Sequence, residues 1–442
     1  MKKWLCTAAL FLTLTTACSS GDEGEATTAD NKGSEGETST VTLSVRQLTP
    51  FYQTLEKKFE AKHPEIDLQI KAYKQIGETF EPEDYEKYQK TTNTALLSGK
   101  GADVYETDNL PIEEYVDKKL FLNMDDLMSK DALPNKGDLE MNVLNAVKMN
   151  GGTYAMPAGF NVRAFVGDGD ALAQADYDEA TWTWEQFVTT AKAIMQQEQQ
   201  SGKERRYAMA DMPPDVLLQE MVVDNYAKFV DADAKKASFD APEFVSLLKQ
   251  VDQIYADKVM TSEPADMGKQ LFYSAVVQSP ADIIDGLHAY FAHPRVVTKP
   301  HIGEASGMRI IPVMQFAIQA KSPAKEAAWK FIAFLLSEEG QTAEGRAGFS
   351  LLKSVNDKQL DDLAAQVKSG SRKLPNGQTA TATDEEFARF KELLHATTNY
   401  EQLDGKVVGI VGEEAYAYYG GQKTAEEAAK LIQNRATTVL NE

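Results

Sequence analysis

Alternating apolar and polar residues mark three strands in the first quarter of the chain. Val41–Val45 and Ile66–Ile70 alternate as half-buried strands do, and Ala102–Glu106 has a similar character. Between these strands, apolar side chains recur at the spacing of a helix face, and Pro64 ends the first of the helices. The order strand, helix, strand, helix, strand predicts a parallel sheet covered by helices, which is an α/β fold.

The most regular apolar pattern is SPAKEAAWKFIAFLLSEEGQ, residues 322–341. Ser322 and Pro323 suit the start of a helix, Gly340 suits its end, and an apolar stripe runs between them. The segment follows Ile310–Ile318, an apolar run that indicates a strand. The pattern therefore predicts a helix that serves packing rather than chemistry.

The N-terminus has the pattern of an export signal. Lys2 and Lys3 precede an apolar run, Leu5–Ala17, that is too short to span a membrane. Cys18 follows directly, which resembles a bacterial lipoprotein signal whose cysteine becomes the lipid-bearing N-terminus. We expect residues 1–18 to be that signal, with an ordinary secretory signal as the alternative. Lipidation at Cys18 would anchor the exported protein to the outer face of the cell membrane.

Composition narrows the function further. Residues 19–40 are rich in Gly, Ser, Thr and acids and lack large apolar side chains, which predicts a disordered tether. The whole chain carries 67 acidic and 46 basic residues, a formal net charge of −21, which disfavours nucleic acid as a partner. It is compatible with a neutral or cationic small ligand. Cys6 and Cys18 are the only cysteines, so the mature body has no cysteine nucleophile and no thiolate ligand for a metal.

Five segments, taken in their order along the chain, resemble a known family. They are Gly101–Tyr105, Gly152–Pro157, Thr181–Phe187, Ser322–Gln341 and Gly420–Gln422. Together they are similar to the extracellular solute-binding proteins of ABC importers, specifically the sugar-binding, maltose-binding-like family 1 lipoproteins. The resemblance spans residues 41–442.

The resemblance implies a two-lobed fold of the type II periplasmic-binding-protein kind, with a ligand cleft between lobes that close about hinge strands. It places the crossings between lobes near Gly159, Met267 and Val313. Lobe one would then comprise residues 41–159 and 268–312, and lobe two would comprise residues 160–267 and 313–442.

Candidate ligand contacts follow from the rule that open α/β sheets bind ligands beyond the carboxyl ends of their strands. Carboxylates, amides and guanidinium groups suit sugar hydroxyls, and aromatic faces suit the C–H side of a sugar ring. The residues of these types expected at the cleft are Gln47, Asp108, Asn109, Phe160, Asn161, Arg163, Tyr273 and Ser274. Each also has a structural interpretation: Asp108 or Asn109 could cap a helix, and Arg163 could pair with a structural carboxylate. Tyr226 is a weaker candidate.

Other functions remain open as alternatives. The same fold serves enzymes that attack vitamin-like substrates through a cysteine, which this chain lacks, whereas a glycosidase would need only two carboxylates across a cleft. His288, His293 and His301 lie close in sequence but not at the spacing of a helical metal site, and Asp168–Asp170 lacks the pattern of a calcium loop. We therefore expect a monomeric, non-enzymatic receptor without a cofactor that delivers a saccharide to ABC permeases. A peptide, vitamin, glycan fragment or metal is the alternative ligand.

Overall fold

The computed structural model describes residues 38–131, 133, 135–179, 182–232, 234–302, 307–400 and 403–441. The predicted signal, its lipidation site Cys18 and nearly all of the predicted tether lie outside the described residues. The described chain from Thr38 onward forms one compact unit.

The described residues form nine strands and sixteen α-helices. The strands are β1 (Ser39–Gln47), β2 (Ile66–Lys74), β3 (Val104–Glu106), β4 (Met156–Asp168), β5 (Val230–Asp231), β6 (Lys236–Ala237), β7 (Phe272–Val277), β8 (Pro294–Val297) and β9 (Arg309–Ile318). The helices of the first half are α1 (Pro50–Lys62), α2 (Pro82–Ser98), α3 (Ile112–Asp117), α4 (Asp125–Lys130), α5 (Met141–Ala146), α6 (Gly169–Leu172), α7 (Trp184–Gln200) and α8 (Pro214–Val223). Those of the second half are α9 (Pro242–Ala256), α10 (Asp282–Asp285), α11 (Lys325–Leu335), α12 (Glu338–Gln341), α13 (Lys353–Lys368), α14 (Asp384–Ala396), α15 (Gly405–Tyr419) and α16 (Ala425–Asn441).

Seven of these strands form one continuous sheet in the order β2-β1-β3-β9-β4-β7, with β8 also paired to β4. Strands β1, β2 and β3 run parallel, which confirms the predicted order of the first three strands. Strand β9 is antiparallel to β3 and to β4, and β4 is antiparallel to β7 and β8. The long strands β4 and β9 therefore join the two ends of the sheet.

The two faces of β4 and β9 are covered differently. Even-numbered residues, such as Val162 and Ile310, are buried in one large core that also contains α1 and α11. Odd-numbered residues face two separate cores: Ala317 packs into a small core near β3, whereas Phe165 packs into a second large core with α7, α8 and α9. The alternation of a strand thus leaves a stretch of the odd face between two cores.

The helix predicted over residues 322–341 is present but divided. Helix α11 begins at Lys325, because the Ser322 hydroxyl accepts from the N–H of Ala324 (3.0 Å) and donates to Asp103 (2.6 Å) instead of starting a longer helix. Ser337 caps the separate short helix α12, so Gly340 is inside a helix and not the C-cap that the sequence predicted. The packing role is confirmed, since Phe331 of α11 meets Phe59 of α1 edge to face at 5.4 Å.

Gly159 on β4, Val313 on β9 and Gly348 pack closely against one another. Gly159 of β4 lies directly opposite Val313 of β9, and a Cβ atom on Gly348 would meet Phe160 backbone atoms at 2.8 and 2.9 Å and Val313 at 2.9 Å. Met267, predicted near another crossing, is 63% exposed and lies outside the strands of the sheet. The lobe boundaries stay a prediction, but this packing favours a crossing at Gly348 instead of Met267.

The position of α11 bears on the same boundaries. The sequence assigned residues 313–442 to lobe two, yet α11 shares its core with β1 and α1 of the first segment. We therefore favour placing α11 in lobe one.

Candidate functional site

The odd face of β4 and β9 is partly exposed between its two covering cores. Five side chains form this part of the sheet, which we call the β4–β9 strip: Asn161, Arg163, Arg309, Ile311 and Val313. Asn161 lies directly opposite Ile311, and Arg163 directly opposite Arg309. The strip lies on the strands that connect the two halves of the sheet, so a molecule bound there would contact both.

A cluster of charged side chains occupies one end of the strip. The guanidinium of Arg163 donates to the carboxylate of Glu220 on α8 (Nη1–Oε1, 3.3 Å), and Lys299 donates to the same carboxylate (Nζ–Oε2, 2.7 Å). Lys299 also pairs with Asp224, which faces Arg309 at 3.3 Å. We call these five residues the strip cluster.

The strip cluster holds its central carboxylate in the charged form. Burial acts to raise the pKa of Glu220, but the charges of Lys299, Arg309 and Arg163 outweigh burial and lower that pKa to about 2. Lys299 is 3% exposed and Asp224 is 3% exposed, so water screens this pair poorly.

Two buried polar atoms on the strip lack both a hydrogen bond and an ion pair with any described residue, whereas Nη1 of Arg309 lacks a hydrogen bond but pairs with Asp224. The Nε of Arg163 and the Oδ1 of Asn161 are buried and make no hydrogen bond with any described residue. Buried polar atoms in native proteins nearly always have a partner, so such atoms call for a ligand or an ordered water. Both point to a polar occupant beside the strip.

A second pair of acids lies at the carboxyl end of β3. The Asp108 carboxylate accepts from the backbone N–H groups of Met314 (2.8 Å) and Gln315 (3.0 Å). Met314 has φ 54°, in the left-handed region that non-glycine residues rarely adopt, so Asp108 stabilises a break in β9 next to Val313. Glu106 accepts from the N–H of Arg46 (2.9 Å).

Burial controls the protonation of this second pair. Burial raises the pKa of Glu106, and the charge of Asp108 raises it further. Burial likewise raises the pKa of Asp108, although the N–H groups of Gln315 and Met314 act against that change.

Two tyrosines lie close in sequence to residues at the site: Tyr226 follows Asp224 by two positions, and Tyr400 follows Asn399, whose carbonyl accepts from the N–H of Ile310 (2.7 Å). The hydroxyl of Tyr226 accepts from the N–H of Asp404 (3.3 Å), and the ring is buried. Burial, together with the charge of Glu113, raises the pKa of Tyr400 to about 12. Glu113, on α3, also raises the pKa of Tyr226, after burial and Asp404.

The sequence-predicted residues divide between the two faces of the sheet. Asn161 and Arg163 lie on the strip, and Ser274 shares their face because it pairs with Phe165. Phe160 and Tyr273 lie on the opposite face, where Phe160 is fully buried against Phe349 at 5.9 Å. Both residues lie on the face opposite the strip, and their role as ligand contacts stays a prediction.

The remaining predicted residues lie near the carboxyl ends of β1 and β3. Gln47 donates to the backbone carbonyl of Glu78 (2.8 Å), and Asn109 is exposed in a turn at φ 65°.

Tyr273, on β7, stacks on Tyr290 with ring centroids 4.4 Å apart, and its hydroxyl reaches only the sulfur of Met267 (3.4 Å) among the described side chains. Contact of any of these residues with a ligand stays a prediction.

Four residues of the site were missed by sequence reasoning: Glu220, Asp224, Lys299 and Arg309. A signal existed for two of them, because Glu220 and Asp224 are acids spaced i, i+4 in the otherwise apolar run PPDVLLQEMVVDNY. Acids on one face of an apolar helix predict buried partners. Lys299 and Arg309 gave no local signal.

Other features lie away from the strip. A cavity of about 1030 Å³ runs between α7 and α9 and includes Trp184 and Lys192, and a second of about 240 Å³ lies beside α14. Within the described ranges, no group of three or more His, Cys, Asp or Glu side chains could hold a metal ion. His293 pairs with Asp170 at 3.0 Å, whereas His301 is buried beside Trp182. No helix in the described part of the chain has the length and apolarity to cross a membrane.

Comparison with known proteins identifies the family. Residues 46–342 match the bacterial extracellular solute-binding protein family. The chain belongs to that family. A comparison with curated proteins gave no match.

Solved structures of this solute-binding family share the fold. A family 1 extracellular solute-binding protein from Alicyclobacillus acidocaldarius is 18% identical, with a TM-score of 0.61 over 93% of this chain and 100% of the other. A periplasmic oligogalacturonide-binding protein from Yersinia enterocolitica is 14% identical, with a TM-score of 0.62 over 91% and 99%. The sugar-binding protein MalE from Xanthomonas citri is 16% identical, with a TM-score of 0.60 over 91% and 98%. The predicted two-lobed α/β fold is confirmed.

Proposed function

We propose that this solute-binding protein captures a saccharide outside the cell and delivers it to an ABC importer. The observation that carries the proposal is the β4–β9 strip, which offers guanidinium and amide groups on the strands that connect two separately packed cores. Guanidinium and amide groups are suited to the paired hydroxyls of sugars. Two of the similar structures are described as binding oligogalacturonide or sugar, which supports this class of ligand.

The mechanism we propose is closure of the two lobes over the ligand. A saccharide on the strip would contact Arg163, which bonds to Glu220 on α8 and so lies beside the core that contains α8. A ligand favours the closed state by as much as its contacts differ between the open and closed states. The hinge would lie where Gly159, Val313 and Gly348 meet, because β4 and β9 pair there between the two separately packed cores.

Anchoring and delivery complete the proposal. Lipidation of Cys18 would hold the protein at the outer face of the membrane, and residues 19–40 would act as the tether. Growth with an alkyne-bearing fatty acid tests this directly, because the wild-type protein should become labelled and the Cys18→Ala variant should not. A labelled Cys18→Ala variant would contradict lipidation at this position.

A thermal-shift screen of the purified protein against mono- and oligosaccharides tests the central claim. A saccharide at roughly 100 times its dissociation constant should add about 2.7 kcal/mol of stability, a clear rise in Tm. A screen silent for saccharides but positive for peptides or vitamins would contradict the proposed ligand class. Chromatography of the same mixtures after incubation should show intact saccharide, and the appearance of product would favour an enzyme instead.

A further inference from the structure

The strip cluster contains more positive than negative charge. Its cations are Arg163, Lys299 and Arg309, and its acids are Glu220 and Asp224. Each acid is shared: Glu220 lies within 4.0 Å of all three cations, and Asp224 lies within that distance of Lys299 and Arg309. Among the described residues, three cations share two acids, so one positive charge of the cluster has no described acid of its own.

The surroundings of the cluster make this imbalance costly. The side chains of Lys299 and Arg309 are 3% and 12% exposed, so water cannot screen their charge well. A similar group on β8 and α14 joins Arg295 and Arg389 to the single acid Glu179, but the Arg295 side chain there is 40% exposed. Water reaches the Arg295 side chain more readily than it reaches Lys299 or Arg309, so an unbalanced charge costs less in that group than in the strip cluster.

The open side of the cluster is Arg163. Its side chain is 29% exposed, the largest fraction among the three cations, and its Nη1 makes a single long bond to Glu220 at 3.3 Å. Its Nε has no partner among the described residues, and the unpartnered Asn161 Oδ1 lies two residues along the same strand face. A ligand bound here would meet the guanidinium of Arg163, which has an unused donor at Nε, and beside it the amide oxygen of Asn161, which can accept a hydrogen bond.

We propose that the ligand is an acidic saccharide whose carboxylate binds Arg163 at the end of the β4–β9 strip. A guanidinium presents parallel donors that match the two oxygens of a carboxylate, so a uronic acid satisfies both the unused donor and the uncompensated charge. The neighbouring Asn161 oxygen accepts from a hydroxyl of the same sugar. This inference rests on the proposed saccharide-binding function and adds to it the charge of the ligand.

The experiment compares acids with their esters. The purified protein is titrated by calorimetry with trisaccharides of glucuronate, galacturonate and mannuronate, each beside its methyl ester, and with neutral trisaccharides. At least one free acid should bind about 10- to 100-fold more tightly than its ester, the range expected for one charged hydrogen-bonding partner. That preference should shrink as salt is added, because screening weakens the attraction.

Variants of single arginines test whether Arg163 causes the preference for the free acid over its ester. Arg163→Gln should bring the ratio of acid to ester affinity close to one, and Arg163→Lys should keep part of it. Arg295→Gln is the matched control, since it removes an arginine from the exposed group and should leave the ratio unchanged. The ratio is read within one variant, and circular dichroism at the titration temperature establishes that each variant is folded.

The outcomes separate the two proposals. Equal binding of acid and ester, tight binding of neutral trisaccharides alone, or an unchanged ratio in Arg163→Gln would overturn the acidic-saccharide inference and leave saccharide binding in place. No binding of any saccharide would overturn both.

Discussion

Two pairs of acids lie beside β9, one at the break near Met314 and one at Arg309, and they are stabilised in opposite ways. Glu220 and Asp224 lie among lysine and arginine side chains, and the pKa of Glu220 falls to about 2. Glu106 and Asp108 are held mainly by backbone N–H groups, and burial raises both of their pKa values. Backbone dipoles orient a carboxylate without adding a full opposite charge, so they offset burial less than cations do.

The difference indicates that the two pairs of acids have different roles in the protein. The Asp108 pair fixes the backbone where β9 turns through the left-handed conformation of Met314. The strip cluster leaves cationic donors beside an open face. We therefore expect the first pair to affect stability and the second to affect both stability and binding.

The largest effect should come from removing Lys299, the more buried of the two cations that both acids of the strip cluster share. Lys299→Met would leave Glu220 and Asp224 buried with less compensation, at a cost of about 3–5 kcal/mol in the free energy of unfolding. Urea denaturation measures it. Lys249→Met is the control, because Lys249 and its partner Glu426 are both more than half exposed and should contribute less than about 1 kcal/mol. Equal losses in the two variants would refute the importance of burial in the cluster.

A smaller loss is expected for Asp108→Asn. The amide keeps one acceptor oxygen, but its NH₂ group would face a backbone N–H, so one of the two bonds to Met314 and Gln315 is lost, at about 1–3 kcal/mol. The measurement is again urea denaturation, with Asp362→Asn on the exposed surface as the control. A loss no greater than that of the control would show that the carboxylate does not hold the break in β9.

The pH dependence should distinguish the pairs by sign. The folded pKa of Glu220 is lowered, so its contribution is present above its unfolded pKa near 4.5 and is lost as pH falls toward 2. The folded pKa of Glu106 is raised, so its ionised form is disfavoured at neutral pH and protonation relieves that cost as pH falls. The stability advantage of wild type over Glu220→Gln should therefore shrink between pH 4.5 and 2. An advantage of wild type over Glu106→Gln should instead grow as pH falls from 7, and parallel trends in the two variants would contradict the comparison.

The smallest effect concerns the two faces of the sheet. Tyr273→Phe keeps the stacking on Tyr290 and loses only a hydroxyl that faces the sulfur of Met267. We expect affinity for the saccharide with the largest thermal shift to change by less than about twofold, as measured by calorimetry. A tenfold loss would place Tyr273 at the ligand after all and would restore the sequence-based prediction.

The sequence indicated which types of residue lie near the crossing strands, but it did not indicate which face of the sheet each side chain occupies. Arg163 was selected as a guanidinium near a crossing strand, and its alternative role as the partner of a structural carboxylate is confirmed by Glu220. Phe160 and Asn161 were selected together, although neighbours on a strand point to opposite faces. Alternation separates the two residues, but the sequence does not say which face the ligand would meet.

The net charge of the chain and the local charge of the strip cluster favour different ligands. A chain with a formal charge of −21 is compatible with a neutral or cationic ligand, yet the strip cluster is locally positive. Exposed charges beyond about 8 Å are screened at physiological salt, so the distant acids have little influence on a partly buried group. Only the positions of the nearest charges bear on the ligand.

By itself the sequence determined the class of fold, the first three parallel strands and the family, because each depends on local periodicity or on motifs that are contiguous in the chain. The tertiary structure decided which residues meet across the sheet. Arg163 and Arg309 are far apart in sequence and become neighbours only through the register of β4 and β9. The two acids of the strip cluster come from a helix and the residue that follows it, in a segment distant from both strands. A site built from such long-range contacts has no local pattern, so it emerges only when the chain is folded.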